Sequence, residues 1–154
     1  MSGDNKMNQE VIILIAEDDE GHALLIRKNL TRAGISNRII HFKDGQEILD
    51  FLFATGEGPH LQPGEAYVLL LDIRMPAYNG VEVLKQIKEH NELRKIPVIM
   101  ITTTDDPREV EQCHKLGCSN YISKPVEYEA FANAIKQLGL FLSVVQVPKV
   151  DGAS

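Results

Sequence analysis

The chain has 154 residues, 44% of them apolar, a size and composition that suit one compact domain with a real core. Its net charge of −6 and pI near 5.3 argue against nucleic acid or an anionic membrane as the main partner, since both attract basic surfaces. Two cysteines, Cys113 and Cys118, make no disulfide framework, and no apolar run approaches the ~20 residues of a membrane span.

Residues 1–10 are polar, lack the apolar centre of a signal peptide, and are expected to be disordered, so the cytoplasm is the expected location. Val11–Ala16 (VIILIA) is a continuous apolar run rich in β-branched residues, as in a strand buried on both faces of a parallel sheet. Glu17, Asp18 and Asp19 follow at once. Ala23, Ile26, Leu30 and Ala33 then form a helical stripe that Gly34 stops. Arg38–Phe42 reads as a short strand, and Asp44-Gly45 as a turn before a second helix through Ile48, Phe51 and Leu52. The stretch Gly56–Ala66, with three Gly and two Pro, is a predicted loop. Tyr67–Leu71 (YVLLL) is another fully apolar strand and ends at Asp72.

Pro76 and Gly80 bracket a loop, and Gly80, Leu84 and Ile87 mark a third helix. Pro97–Ile101 is a predicted strand running into Thr102, Thr103 and Thr104. Val110, Cys113, His114 and Gly117 mark a fourth helix. Asn120–Ser123 is a short strand ending at Lys124-Pro125, and Phe131, Ala134, Ile135, Leu138 and Leu142 mark the last helix. Residues 144–154 read as a short tail. Five strand–helix units imply an α/β fold, a doubly wound five-stranded parallel sheet of order 2-1-3-4-5.

In such sheets ligands bind outside the carboxyl ends of the strands. Those ends carry Glu17-Asp18, Asp72, Thr102 and Lys124. Two carboxylates ~4 Å apart repel by about 4 kcal/mol at an effective dielectric of 20, and one lysine does not neutralise three acids. A hard divalent cation with oxygen ligands and several waters fits, Mg²⁺ better than Ca²⁺. A metal and a lysine flanking Asp72 would hold an incoming phosphoryl group, and aspartate is a competent nucleophile for its transfer.

Glu17-Asp18, Asp72 with Pro76 and Gly80 after it, Thr102, and Lys124-Pro125 together resemble the receiver domains of two-component response regulators, over roughly residues 11–143. The resemblance implies a flavodoxin-like fold and a phosphoacceptor signalling protein, not an enzyme beyond its own phosphorylation and slow dephosphorylation. It implies that Asp72 is the phosphorylated residue. Asp18 and Asp72 would ligate Mg²⁺ directly, Glu17 through water, and Arg74 by its backbone carbonyl. Thr102, Thr103 and Lys124 would contact the phosphoryl group, Thr102 and Tyr121 would switch together, and the bond to Pro125 would be cis. Asp19 would lie outside the metal's ligands, and His22 reads as a solvated helix-start residue.

The loop before the third strand, Ile96–Thr104, Lys124–Phe131 and the tail ending Val147-Pro148 are similar to single-domain regulators paired with phytochrome-type histidine kinases. The implied phosphodonor is such a kinase or a histidine phosphotransfer protein. A haloacid-dehalogenase-like phosphatase also uses an aspartyl nucleophile with Mg²⁺, but needs a second Asp where Arg74 stands. No phosphate-binding G-x-x-x-x-G-K-[ST] occurs. About a dozen residues after the last helix leave no room for a DNA-binding module, so output is expected through a protein surface. Phe141, Leu142, Val144, Val145 and Val147 point to a symmetric homodimer through the face made by the fourth helix, fifth strand and fifth helix, with the tail contributing.

Overall fold

A computed structural model describes residues 11–103, 106–124, 128–144 and 147–152. Strand β1 (Val11–Ala16) is followed by helix α1 (Glu20–Arg32), β2 (Ile39–Phe42), α2 (Gly45–Phe53), β3 (Glu65–Leu71) and α3 (Gly80–Lys88). A single 3₁₀ turn (Leu93–Lys95) leads to β4 (Val98–Thr102), α4 (Pro107–Leu116), β5 (Asn120–Ser123), α5 (Tyr128–Val144) and β6 (Lys149–Val150). The parallel strands lie in the order β2-β1-β3-β4-β5, as the alternation of elements predicts.

The apolar strands alternate their side chains between two cores. Leu14 and Ala16 of β1, Leu69 and Leu71 of β3, and Met100 of β4 face Ile48 and Leu52 of α2, Leu84 and Ile87 of α3, and Cys113 of α4. Ile13, Ile15, Val68, Leu70 and Ile99 face Ile26 and Leu30 of α1 and Phe131, Ile135 and Leu138 of α5. Helix starts are set by short acidic or amide side chains: Asp19 caps α1, Asp44 caps α2, and Asn79 with Glu82 forms a capping box on α3. Gly117 closes α4 in the left-handed conformation, at φ 97°.

The structure departs from the sequence reading at the far end of the sheet. The sheet has a sixth strand, β6, which pairs antiparallel with the start of β3 through Glu65↔Val150 and Ala66↔Lys149. That pairing is why β3 begins at Glu65, inside the stretch predicted as loop. The tail is therefore packed at β6: Val150 is fully buried, and the Gly64 N–H donates to the Val150 carbonyl at 2.7 Å. Leu142 and Val147 likewise pack on the chain's own core, which removes them from the surplus apolar surface invoked for a dimer, while Leu140 (57% exposed) and Phe141 (41%) stay at the surface. The expected disorder of residues 1–10, the cis bond to Pro125, Thr104, and Val145 lie outside the described residues, as does the Val144 side chain. Among the described residues no helix is long and apolar enough to cross a membrane.

Candidate functional site

The carboxyl ends of β1, β3, β4 and β5 meet at one edge of the sheet. Asp72 directly follows β3, and its N–H donates to the Ala16 carbonyl at 3.0 Å, so its backbone is locked beside the end of β1. Glu17 follows β1, with its N–H on the Phe42 carbonyl at 3.0 Å and its carbonyl held by His41 Nε2 at 2.7 Å. Thr102 ends β4 and is buried, paired in register with Ser123, and Thr103 beyond it is exposed. The Thr102 carbonyl accepts the Lys124 N–H at 2.7 Å, which fixes the base of the lysine stem.

Close packing of backbone supports Asp72 from below. A Cβ on Gly80, the first residue of α3, would stand 2.2 Å from the Asp72 carbonyl oxygen and 2.8 Å from Ile73 Cα. A Cβ on Gly45, the first residue of α2, would stand 2.0 Å from the Tyr78 carbonyl. Only glycine allows both helices to press their N-termini onto the loop that follows Asp72.

Three carboxylates converge there. Ligand oxygens of Glu17, Asp18 and Asp72 all lie within 4.8 Å of one another. Glu17 and Asp72 are 2% and 6% exposed, whereas Asp18 faces solvent. An all-oxygen set with one open side fits a hard divalent cation. Asp19 is not part of this cluster: its carboxylate caps α1, accepting the His22 N–H at 3.0 Å.

Lys124 balances part of the charge. Its ammonium donates to Glu17 Oε1 and, at 3.2 Å, to Asp72 Oδ2. Burial, with the Asp72 carboxyl beside it, pushes the Glu17 carboxyl up to about 8, and Lys124 pulls it the other way. The other Asp72 oxygen, Oδ1, accepts the Arg74 N–H at 3.3 Å. The Arg74 side chain is turned outward to α4, where its guanidinium pairs with Glu109 at 3.1 Å.

Tyr121 is half-buried on β5, opposite Met100 in register, with its ring 6.2 Å from that of His114. Burial pushes its hydroxyl up to about 12, so it stays a phenol at neutral pH. His22 does not stand apart in solvent as the sequence suggests. Its Nδ1 lies 3.1 Å from Lys124 Nζ, across 102 residues of chain. The one sequence signal for this was its place three residues after Asp19, on the first turn of the helix that leaves the acidic pair.

The model of the response regulator receiver domain matches residues 13–136. The chain belongs to this family. It is similar to the crystal structure of a response regulator receiver domain from Rhodospirillum rubrum, at 50% identity and a TM-score of 0.85, covering 92% of this chain and 99% of that one. The bacteriophytochrome response regulator RtBRR matches at 31% identity and a TM-score of 0.71, covering 93% of this chain and 83% of that one. The Mn²⁺-bound form of response regulator Rcp1, a protein of Synechocystis, matches at 27% identity and 0.80, covering 89% and 98%. The receiver fold and the place of this chain in two-component signalling follow from that membership.

Proposed function

We propose that Asp72 accepts a phosphoryl group from a phosphohistidine on a sensor kinase or a histidine phosphotransfer protein. The observation that carries this reading is the burial of Asp72 between the Lys124 ammonium and the Glu17–Asp18 pair at the open edge of the sheet. An Asp72 carboxylate oxygen forms a new O–P bond as the N–P bond of the donor breaks, and the imidazole nitrogen keeps the bonding pair. The Lys124 ammonium supplies charge for the phosphoryl oxygens, with Thr102 and Thr103 at the end of β4 as further donors. Asp18 and Asp72, the Arg74 backbone carbonyl, and Glu17 through water would hold Mg²⁺, which when bound neutralises phosphoryl charge. The chain is then a phosphoacceptor that turns over only its own phosphoryl group, and its expected place is the cytoplasm.

Output runs through the α4–β5–α5 face. Thr102 and Tyr121 lie on the neighbouring strands β4 and β5, and the Arg74–Glu109 ion pair ties the acceptor loop to α4. Exposed Leu140 and Phe141 on α5 favour a second copy of this chain on that side. Similarity to a bacteriophytochrome response regulator favours a phytochrome-type kinase as donor. Incubation with a ³²P-labelled bacteriophytochrome kinase should move the label to the wild-type chain and not to Asp72→Asn. Label on the variant would refute the assignment of Asp72, and no transfer from this kinase alongside transfer from another would refute only the choice of donor.

A further inference from the structure

The Lys124 ammonium has three N–H donors and no acceptor. Glu17 Oε1 and Asp72 Oδ2 take two of them. The third partner is His22, with Nδ1 3.1 Å from Nζ. An ammonium can only donate, so His22 Nδ1 accepts, and the ring is neutral with its proton on Nε2. The same Nδ1 is 4.0 Å from Glu17 Oε1 and 3.9 Å from Asp19 Oδ2, too far for a hydrogen bond to either acid. The ring is also anchored through its backbone, because the His22 N–H is taken by the Asp19 cap of α1. Lys124, in turn, grows from a backbone fixed on Thr102. Two rigid elements thus bring an imidazole lone pair to the one N–H of Lys124 that no carboxylate uses.

We infer that His22 is a positioning residue for Lys124: its neutral imidazole holds the ammonium in place while the bond to Asp72 is exchanged for one to the phosphoryl group. This rests on the reading of Asp72 as phosphoacceptor. Lys124 must release an Asp72 oxygen when that carboxylate becomes an acyl phosphate. With His22 and Glu17 retaining their two N–H groups, only the third has to turn, and the long flexible stem does not have to be re-ordered during transfer. His22 makes no hydrogen bond to Glu17, whose Oε1 lies 4.0 Å from its Nδ1, so its effect on the site runs through Lys124.

The test compares His22→Leu, which has no acceptor, with His22→Asn, whose side-chain carbonyl replaces the Nδ1 lone pair. Phosphorylation of each full-length chain by acetyl phosphate and Mg²⁺ is followed by intact-mass spectrometry, and the Lys124 ammonium and His22 imidazole are observed by ¹⁵N NMR. His22→Leu should slow phosphorylation about tenfold, the scale of one hydrogen bond to a charged group, and should shift the Lys124 ammonium resonance. His22→Asn should restore the rate to within about twofold and keep the ammonium resonance near its wild-type position. The wild-type imidazole shifts should be those of the Nε2–H tautomer. A wild-type rate in His22→Leu, a His22→Asn variant as slow as His22→Leu, or a proton on Nδ1 would each overturn the inference. An adduct that persists in Asp72→Asn would instead overturn the underlying reading of the acceptor, whatever His22 does.

Discussion

Replacing Lys124 by methionine keeps the stem and deletes the charge that separates Glu17 from Asp72. At 3.2 Å and an effective dielectric of 20, the attraction to Asp72 alone is about 5 kcal/mol, most of it offset by the cost of taking both ions out of water. Removing one partner from a buried pair usually costs ~3–5 kcal/mol, because a charge is stranded. Here Glu17 provides a way out. Its carboxyl is already pushed up to about 8 with Lys124 pulling it down, so without the lysine it rises further and holds a proton at neutral pH. The loss in metal-free Lys124→Met should therefore be only about 1–3 kcal/mol near pH 7, and should grow as the pH passes 8 and that proton has to leave. Added Mg²⁺ should stabilise the variant more than the wild type, because the dication no longer competes with an ammonium for Glu17 and Asp72. Urea unfolding in EDTA and in Mg²⁺, near pH 6, 7 and 9, measures all of these. A loss that does not change with pH, or a variant that gains less from Mg²⁺ than wild type does, would refute the reasoning.

The raised Glu17 carboxyl also sets a pH dependence for the wild type. A folded-state acid titrating near 8 binds a proton more tightly than its unfolded counterpart, so metal-free stability should fall as pH rises from about 4.5 to about 8, and Glu17→Gln should flatten that slope in urea titrations. Over the same window Mg²⁺ affinity should climb with pH and level off above 8, as read by isothermal calorimetry, since the metal displaces that proton. Gly80→Ala should cost about 2–4 kcal/mol in thermal unfolding, because its Cβ would meet backbone atoms that cannot move aside. Arg74→Ala, which removes the long side chain two residues after Asp72 that would obstruct water, should speed decay of the aspartyl phosphate several-fold, and Glu109→Gln, which breaks the ion pair at 3.1 Å, should change the decay less; equal decay in all three chains would remove Arg74 from control of water access. Sedimentation equilibrium should show self-association on phosphorylation that Phe141→Asp weakens, and a monomer in both states would leave a different protein as the reader of this face.

The strands buried on both faces were the most legible part of the sequence. Val11–Ala16 and the run ending at Leu71 are nearly all apolar, so no rival period competes with the strand reading. The site was legible for a related reason: acids, a threonine and a lysine placed directly after such runs must arrive together once the sheet is parallel. β6 was not legible, because a two-residue strand has no periodicity and exists only through its pairing with Glu65 and Ala66. The packing of Leu142 and Val147 was hidden in the same way, as their sequence is equally apolar whether they face the core or solvent. His22 needed side-chain geometry: its role depends on how far the Lys124 stem reaches across the ends of the sheet, and no spacing in the chain encodes that distance.

The central claim is that Asp72 is the phosphoryl acceptor, and intact-mass spectrometry of the chain after acetyl phosphate and Mg²⁺ tests it most directly. One phosphoryl adduct that hydrolyses on standing and is absent from Asp72→Asn is the predicted result. An equal adduct on Asp72→Asn, or one stable to hydrolysis and so not an acyl phosphate, would contradict it.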